Sequence, residues 1–313
     1  MSCLNDHDGH FNGVVVQTFA SELNDAECAA VTPDGRLLVL FADDKMLWHY
    51  IGGTAQATAA DGDSEVDSEG EPSLPGDDEV ADNVLMSFTD KMRVLEDPSE
   101  AVLDAKFLPD LSLVLLCMAR EGLRSVVRRV DGQGGTLWRT ELPEGYQGEL
   151  DVTPEGSAVV LSLFRDGSGE LALARLCAQS GVFLSFAPVP GLLSMGAICA
   201  ARDGVVYIGD WKADVLCKVV APDAPPVVMA LGLGFGALSL GPSGALFVCD
   251  STSKGDMFIA ELRGEQDEVH RWKITEGNGL SAPASALWRV AVADDGSRVV
   301  AFLSCGKSVV VFS

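Results

Sequence analysis

The sequence predicts an all-β fold built from repeated hairpins. Apolar residues make up 47% of the 313-residue chain, too large a share for a disordered protein. They come in short runs of β-branched and aliphatic residues, which are typical of strands. A turn pattern of Pro, Asp and Gly recurs between these runs. Because no run of about 18 apolar residues is present and the first residues are polar, we expect neither a transmembrane helix nor a signal peptide.

The clearest copy of the repeated turn is Thr32-Pro33-Asp34-Gly35, which separates two apolar runs. Proline fixes φ early in the turn, the aspartate can bond its own backbone, and glycine accepts the left-handed conformation that closes a hairpin. One weaker copy has a leucine in place of the glycine. The turn glycine or its replacement recurs at Gly35, Leu111, Gly156, Gly204, Gly244 and Gly296.

The spacing of the turns predicts the architecture. The last five turns follow one another at intervals of 40–52 residues, and the first interval of 76 residues contains an insertion at about residues 55–82. A period of 40–50 residues with strand chemistry is typical of β-propeller blades. We therefore predict a single β-propeller domain over residues 13–313, preceded by a flexible N-terminus at residues 1–12.

Each repeat has room for four strands. In the first repeat, strands are predicted at residues 37–41, 45–51 and, after the insertion, 83–88. The outer strands of the following repeats are expected at residues 136–140, 181–186, 226–230 and 269–274. The sixth repeat ends with its third strand, so residues 13–19 can supply its outer strand and close the ring. This predicts six four-stranded blades, with seven as the alternative if a long interval hides a degenerate blade.

The insertion is strongly acidic. Between Asp61 and Asp82 it has ten acidic residues and no Lys or Arg, interleaved with Gly, Ser and Pro, so we predict a disordered loop. The alternatives are a tolerated insertion and an electrostatic arm for a basic partner. Ser64 and Ser68 each precede an acidic residue by three positions and are candidate phosphorylation sites. The acidic arm comprises Asp61, Asp63, Glu65, Asp67, Glu69, Glu71, Asp77, Asp78, Glu79 and Asp82.

Arginines concentrate in the second repeat. Either they form a solvated face that balances local acids, or they form a basic patch that docks an acidic partner segment or the chain's own acidic arm. The candidate partner-binding residues are Arg120, Arg124, Arg128, Arg129 and Arg139.

The net charge of −24 restricts the partners. Nucleic acid and anionic membranes both require a surplus of Lys and Arg, so we expect protein partners and no membrane insertion. No two of the eight cysteines form a CxxC pair, and most lie in apolar runs, where cysteine behaves as a small hydrophobe. Unpaired cysteines indicate a reducing compartment, so we predict a cytoplasmic location, with the nucleus as the alternative.

The first repeat also carries a family resemblance. The run Glu27-Cys28-Ala29-Ala30-Val31-Thr32-Pro33-Asp34-Gly35-Arg36-Leu37-Leu38 resembles the opening strand of gluconolactonase-like propellers, and the other turns resemble those of NHL-repeat propellers. Gluconolactonase-like enzymes hold a divalent metal with one Glu, two Asn and one Asp at blade-entry positions. The corresponding positions here are Glu27, Leu103, Gly148, Gly196, Gly236 and Trp288.

Only Glu27 matches that ligand set. Hard cations need several oxygen ligands, so we predict no metal and no cofactor, with Glu27 as the one candidate ligand. No nucleophile elbow and no phosphate-binding loop is present, so no catalytic residue is predicted. The sequence thus favours a non-catalytic scaffold for protein–protein interaction, a subunit of a larger intracellular complex. The alternative is a divergent metal-dependent lactonase or esterase.

Overall fold

The computed structural model describes residues 14–18, 26–33, 37–42, 45–50, 91–93, 100–119, 124–132, 134–221, 224–231, 236–251, 257–263, 267–274, 287–293, 299–303 and 308–312. Every regular element in these ranges is a β-strand. None of the described segments is a helix with the length and apolar character needed to cross a membrane. The acidic arm, Ser64, Ser68, Arg120 and residues 1–12 lie outside the described residues.

The described strands form six four-stranded antiparallel sheets. One sheet joins the first strand, β1 (Val14–Thr18), to the last three; the other five each use four consecutive strands. These five are β2 (Ala26–Val31), β3 (Leu37–Ala42), β4 (Lys45–Tyr50) and β5 (Lys91–Arg93); β6 (Glu100–Phe107), β7 (Leu113–Ala119), β8 (Ser125–Val130) and β9 (Thr136–Glu141); β10 (Tyr146–Val152), β11 (Ala158–Arg165), β12 (Leu171–Cys177) and β13 (Phe183–Pro188); β14 (Ile198–Ala200), β15 (Val206–Asp210), β16 (Val215–Val219) and β17 (Val227–Leu231); and β18 (Ala237–Leu240), β19 (Leu246–Ser251), β20 (Met257–Arg263) and β21 (Asp267–Ile274). The remaining strands are β22 (Leu287–Val292), β23 (Val299–Leu303) and β24 (Ser308–Phe312).

The sheets are arranged around an axis, as in a propeller. The innermost strand of each sheet contacts the innermost strand of the next, in the order β2, β6, β10, β14, β18 and β22, and β22 contacts β2. β1 pairs antiparallel with β24, from Val14 opposite Phe312 to Thr18 opposite Ser308. The prediction of a single all-β propeller is confirmed.

Hydrophobic cores lie between neighbouring sheets. One buried cluster joins Leu116 and Val127 of the β6–β9 sheet to Leu150 and Leu161 of the β10–β13 sheet. Similar clusters join the β10–β13 sheet to the β14–β17 sheet and the latter to the β18–β21 sheet. The β10–β13 and β14–β17 sheets are therefore apolar on both faces, which accounts for the continuous apolar runs of their middle strands.

Four of the repeated turns lie within the described residues, and they have the conformation that the sequence predicts; Gly35 and Gly296 lie outside the described residues. In the turn after β10, Gly156 N–H donates to Thr153 O at 2.7 Å, and Thr153 N–H donates to Ala158 O at 2.9 Å. The turns at Gly204 and Gly244 have the same pair of bonds and also a positive φ. Leu111 replaces the glycine in the turn after β6 and adopts the same left-handed conformation, with φ of 63°.

Leu111→Gly is expected to raise the free energy of unfolding by about 0.5–1 kcal/mol. The left-handed conformation costs a leucine about 1–2 kcal/mol, and glycine's greater freedom in the unfolded chain offsets part of that gain. Leu111 is 56% exposed, so little packing is lost. Chemical denaturation of both proteins measures the difference, and a less stable Leu111→Gly protein would contradict the prediction.

The predicted outer strand of the first sheet, at residues 83–88, lies outside the described residues. Within the described residues, the strand that pairs with β4 is β5, with Lys45 opposite Arg93 and Leu47 opposite Lys91. The sequence did not predict β5, because composition carries no information on the register in which the chain joins the edge of the sheet.

Candidate functional site

The axial ends of the inner strands carry polar side chains that bond the next sheet. The carboxylate of Asp104 on β6 accepts from Leu150 N–H on β10 at 2.8 Å. The carboxylate of Asp151 on β10 accepts from Ala200 N–H on β14 at 2.8 Å. Ser239 Oγ on β18 accepts from Val292 N–H on β22 at 3.3 Å. These polar groups therefore hold neighbouring sheets together around the axis.

A cavity of about 140 Å³ lies on the axis, lined by residues of all six inner strands. Its charged groups are paired with each other: Lys106 Nζ lies 3.2 Å from Asp151 Oδ1. Burial, together with the negative charge of Asp151, raises the pKa of the Cys199 thiol well above its usual range. Cys199 therefore remains a neutral thiol and is a poor nucleophile.

The metal prediction rests on Glu27, which lies in β2. The pairing of β2 with β3 shifts register between Ala26 and Cys28, so Glu27 sits at a β-bulge. Its side chain lies outside the described part of the structure. Within that part, no three His, Cys, Asp or Glu side chains are grouped so that they could hold a metal ion.

Two of the candidate arginines are buried inside the sheet of β6–β9. Arg128 is 4% exposed, and its guanidinium donates to the carboxylate of Glu100, which is also 4% exposed. Arg129 is 5% exposed and donates to Ser112 Oγ at 2.9 Å and to Ala178 O at 3.0 Å on the neighbouring sheet. Both guanidinium groups thus stabilise the propeller from within.

Among the candidate arginines that the structure describes, Arg139 and Arg124 have exposed side chains. The Arg139 guanidinium donates to Glu141 at 2.8 Å and lies 3.7 Å from Glu100. This bond to Glu141 raises the pKa of Arg139 above its ordinary value. Arg139 is about two-fifths exposed, so it links the buried ion pair to the surface.

At the end of the β14–β17 sheet, a buried carboxylate joins two surface segments. Asp210 is 1% exposed, and its carboxylate accepts from Leu193 N–H and Ser194 Oγ, both at 2.6 Å, and from Ala213 N–H at 3.1 Å. Burial alone would raise the pKa of Asp210, but these hydrogen bonds hold it below its ordinary value. The connection at 189–197 and the turn at 211–214 are thereby fixed to each other.

Each of these two segments exposes a large apolar side chain. Leu193 is 65% exposed and Trp211 is 60% exposed. The ammonium of Lys212 lies 5.3 Å from the centre of the Trp211 ring, and Asp214, at the end of the turn, has a left-handed φ of 55°. We call Leu193 and Trp211 the apolar tip.

The sequence did not predict Asp104, Asp151, Asp210 or the apolar tip as important. For the three aspartates a signal existed, since each is a carboxylate within or at the end of an apolar strand, where an unpaired charge is costly. For Leu193 and Trp211 the sequence contains no signal of exposure, because a lone Trp after a strand is most often a packed side chain.

The comparisons with known proteins show the fold alone. No protein-family model matches the chain, and no curated protein matches it. Among solved structures, the chain is similar to the Dos1 propeller, with a TM-score of 0.53 and 10% sequence identity, over 92% of this chain and 68% of that one. It is also similar to a protein of unknown function from Bacteroides caccae, with a TM-score of 0.50 and 12% identity, over 80% of this chain and 81% of that one.

Proposed function

We propose that this chain is a non-catalytic propeller that binds another protein through the apolar tip, as a subunit of a larger intracellular assembly in the cytoplasm or nucleus. The observation that carries the proposal is the exposure of Trp211 and Leu193 on segments that Asp210 holds in place. Tryptophan is among the residues most enriched at the energetic centres of protein interfaces. An apolar side chain that is already held in position loses little entropy on binding.

The polar groups near the axis support a non-catalytic role for the propeller. Asp104, Asp151 and Ser239 bond the backbone of the next sheet, and Lys106 is paired with Asp151. Their role in the architecture accounts for these side chains without a substrate. The six sheets and the pairing of β1 with β24 support six blades closed by the N-terminal strand. A closed ring provides a rigid base for the tip.

The charged segments define a second class of contact in this proposal. The acidic arm attracts a basic segment of a partner, and phosphorylation of Ser64 and Ser68 strengthens that attraction. Arg124 and Arg139, with exposed side chains, are placed to meet an acidic segment. Both contacts are electrostatic and weaken with added salt, whereas binding at the apolar tip does not depend on charge.

Co-purification of the tagged chain from its native cells tests the proposal. We expect a protein partner in stoichiometric amount with the wild type and at least a tenfold loss of it with Trp211→Ala combined with Leu193→Ala, because both tip side chains are removed. Leu137→Ala is the matched control, since Leu137 is 54% exposed on another sheet. A wild type that purifies without a stoichiometric partner, or a partner retained equally by the tip variant, would contradict the proposal.

A further inference from the structure

The remaining exposed apolar side chains concentrate on the outer strands of two neighbouring sheets. On and beside β13, Val182 is 62% and Leu184 60% exposed, and on β17, Val227 is 48% and Val228 51% exposed. Phe183 and Phe186 add two aromatic rings that are more than one-third exposed. We call these six residues the outer-edge patch. It lies on the rim of the ring and is separate from the apolar tip.

Both strands of the patch lie in runs of sequence without charge. No Asp, Glu, Lys or Arg occurs between Arg175 and Arg202, or between Asp223 and Asp250, and each of these runs is 26 residues long. This is unusual in a chain whose net charge is −24. The segments that carry the patch therefore contribute no acidic side chain that would repel another acidic molecule.

The size of the patch fits a standard interface. A phenylalanine offers about 150–250 Å² and a valine or leucine somewhat less, so these six side chains, between one-third and two-thirds exposed, present on the order of 500 Å² over the two outer strands together. The buried part of an interface is about 65% apolar. The whole contact then covers roughly 800 Å² on each partner, which is the area of a stable complex.

We propose that the outer-edge patch is the interface of a twofold-symmetric homodimer. A self-complementary patch on identical chains closes in a dimer, the commonest form of soluble oligomer. The uncharged runs let two chains of charge −24 meet, and the apolar area matches what a dimer requires. We expect the two chains to pack through side chains and not by backbone pairing of their outer strands. The free edge of β13 is a poor partner for another strand, because its pairing with β12 has a bulge between Arg175 and Leu176 and because Pro188 lacks an N–H.

Repulsion between the two acidic chains gives the dimer a distinctive salt dependence. Added salt screens that repulsion. We therefore expect the dissociation constant of the dimer, measured by sedimentation equilibrium, to fall severalfold between about 50 and about 500 mM NaCl. An attraction between an acidic and a basic surface would weaken over the same range.

Leu184→Glu tests the patch directly. It places a carboxylate from each chain in an apolar interface, so we expect the dissociation constant to rise at least tenfold. Leu137→Glu is the matched control, because Leu137 also lies at a bulge of an outer strand and is similarly exposed, and it should leave the dimer intact. Thermal unfolding of each variant shows whether it is folded. If Leu184→Glu does not fold, Leu184→Ala replaces it in the test, because this substitution removes apolar area without adding a charge.

A wild type that is monomeric at about 100 μM protein at both salt concentrations would overturn the dimer proposal. So would an equal rise in the dissociation constant of the dimer for Leu184→Glu and Leu137→Glu. The two proposals fail separately. If the tip variant loses its protein partner while the wild type is monomeric, the dimer is wrong and the scaffold stands. If the dimer forms and no partner co-purifies, the scaffold is wrong and the dimer stands.

Discussion

Arg128→Met is expected to lower the free energy of unfolding by about 3–5 kcal/mol. The substitution leaves the carboxylate of Glu100 buried, with the guanidinium of Arg139 at 3.7 Å as its remaining cationic neighbour. A buried charge that loses its partner pays its full desolvation cost. Urea denaturation of the wild type and the variant, followed by circular dichroism, measures the difference.

Two further variants separate the loss of the ion pair from the loss of packing. The double variant Arg128→Met with Glu100→Gln should recover most of the lost stability, because no buried charge is then unpaired. Arg139→Met should cost less than about 1 kcal/mol, since its side chain is 43% exposed and its shorter pair, with Glu141, is exposed to solvent. A double variant as unstable as Arg128→Met alone would refute the ion-pair explanation.

Asp151→Ala is expected to lower the free energy of unfolding by about 2–3 kcal/mol. The substitution removes the acceptor of Ala200 N–H and the partner of Lys106 Nζ in one step. Ala200 is 2% exposed, so bulk solvent does not replace the lost acceptor. The same denaturation experiment measures the effect.

Asp151→Asn provides the matched comparison. Its amide oxygen can still accept from Ala200 N–H while the ion pair with Lys106 is lost, so we expect about half of the cost. Asp166→Ala, an exposed aspartate in the turn after β11, should cost less than about 0.5 kcal/mol. If Asp151→Ala cost no more than Asp166→Ala, the bond between the sheets at Asp151 would contribute nothing to stability.

The strands and their turns are the part of the fold that the sequence predicts well. The left-handed turn positions at Gly156, Gly204 and Gly244 could be predicted from the neighbouring turn residues alone, without knowledge of the tertiary structure. Leu111 was identified at its turn position only because its neighbours fit the repeat. The strand β5 was not predicted, because a long insertion precedes it and removes the spacing that located the other strands.

The candidate site was predicted less well, for a physical reason. Arg128 and Arg129 are adjacent in a strand, and their sequence suggested a basic surface. Both are buried, and each bonds a residue that is distant in the sequence. The hydrogen bonds of Asp210 join segments that are up to 17 residues apart in the sequence. Such contacts depend on how the sheets pack, which composition and local pattern do not encode. The exposure of Trp211 depends on the same packing.

Hydrogen–deuterium exchange on the purified native complex tests the binding surface most directly. We expect the partner to protect backbone amides at residues 189–197 and 211–214, which contain the apolar tip, compared with the chain alone. We expect this protection to be absent when Trp211→Ala and Leu193→Ala are combined. Protection confined to the turns at residues 153–157 and 201–205, with none at the tip, would contradict it.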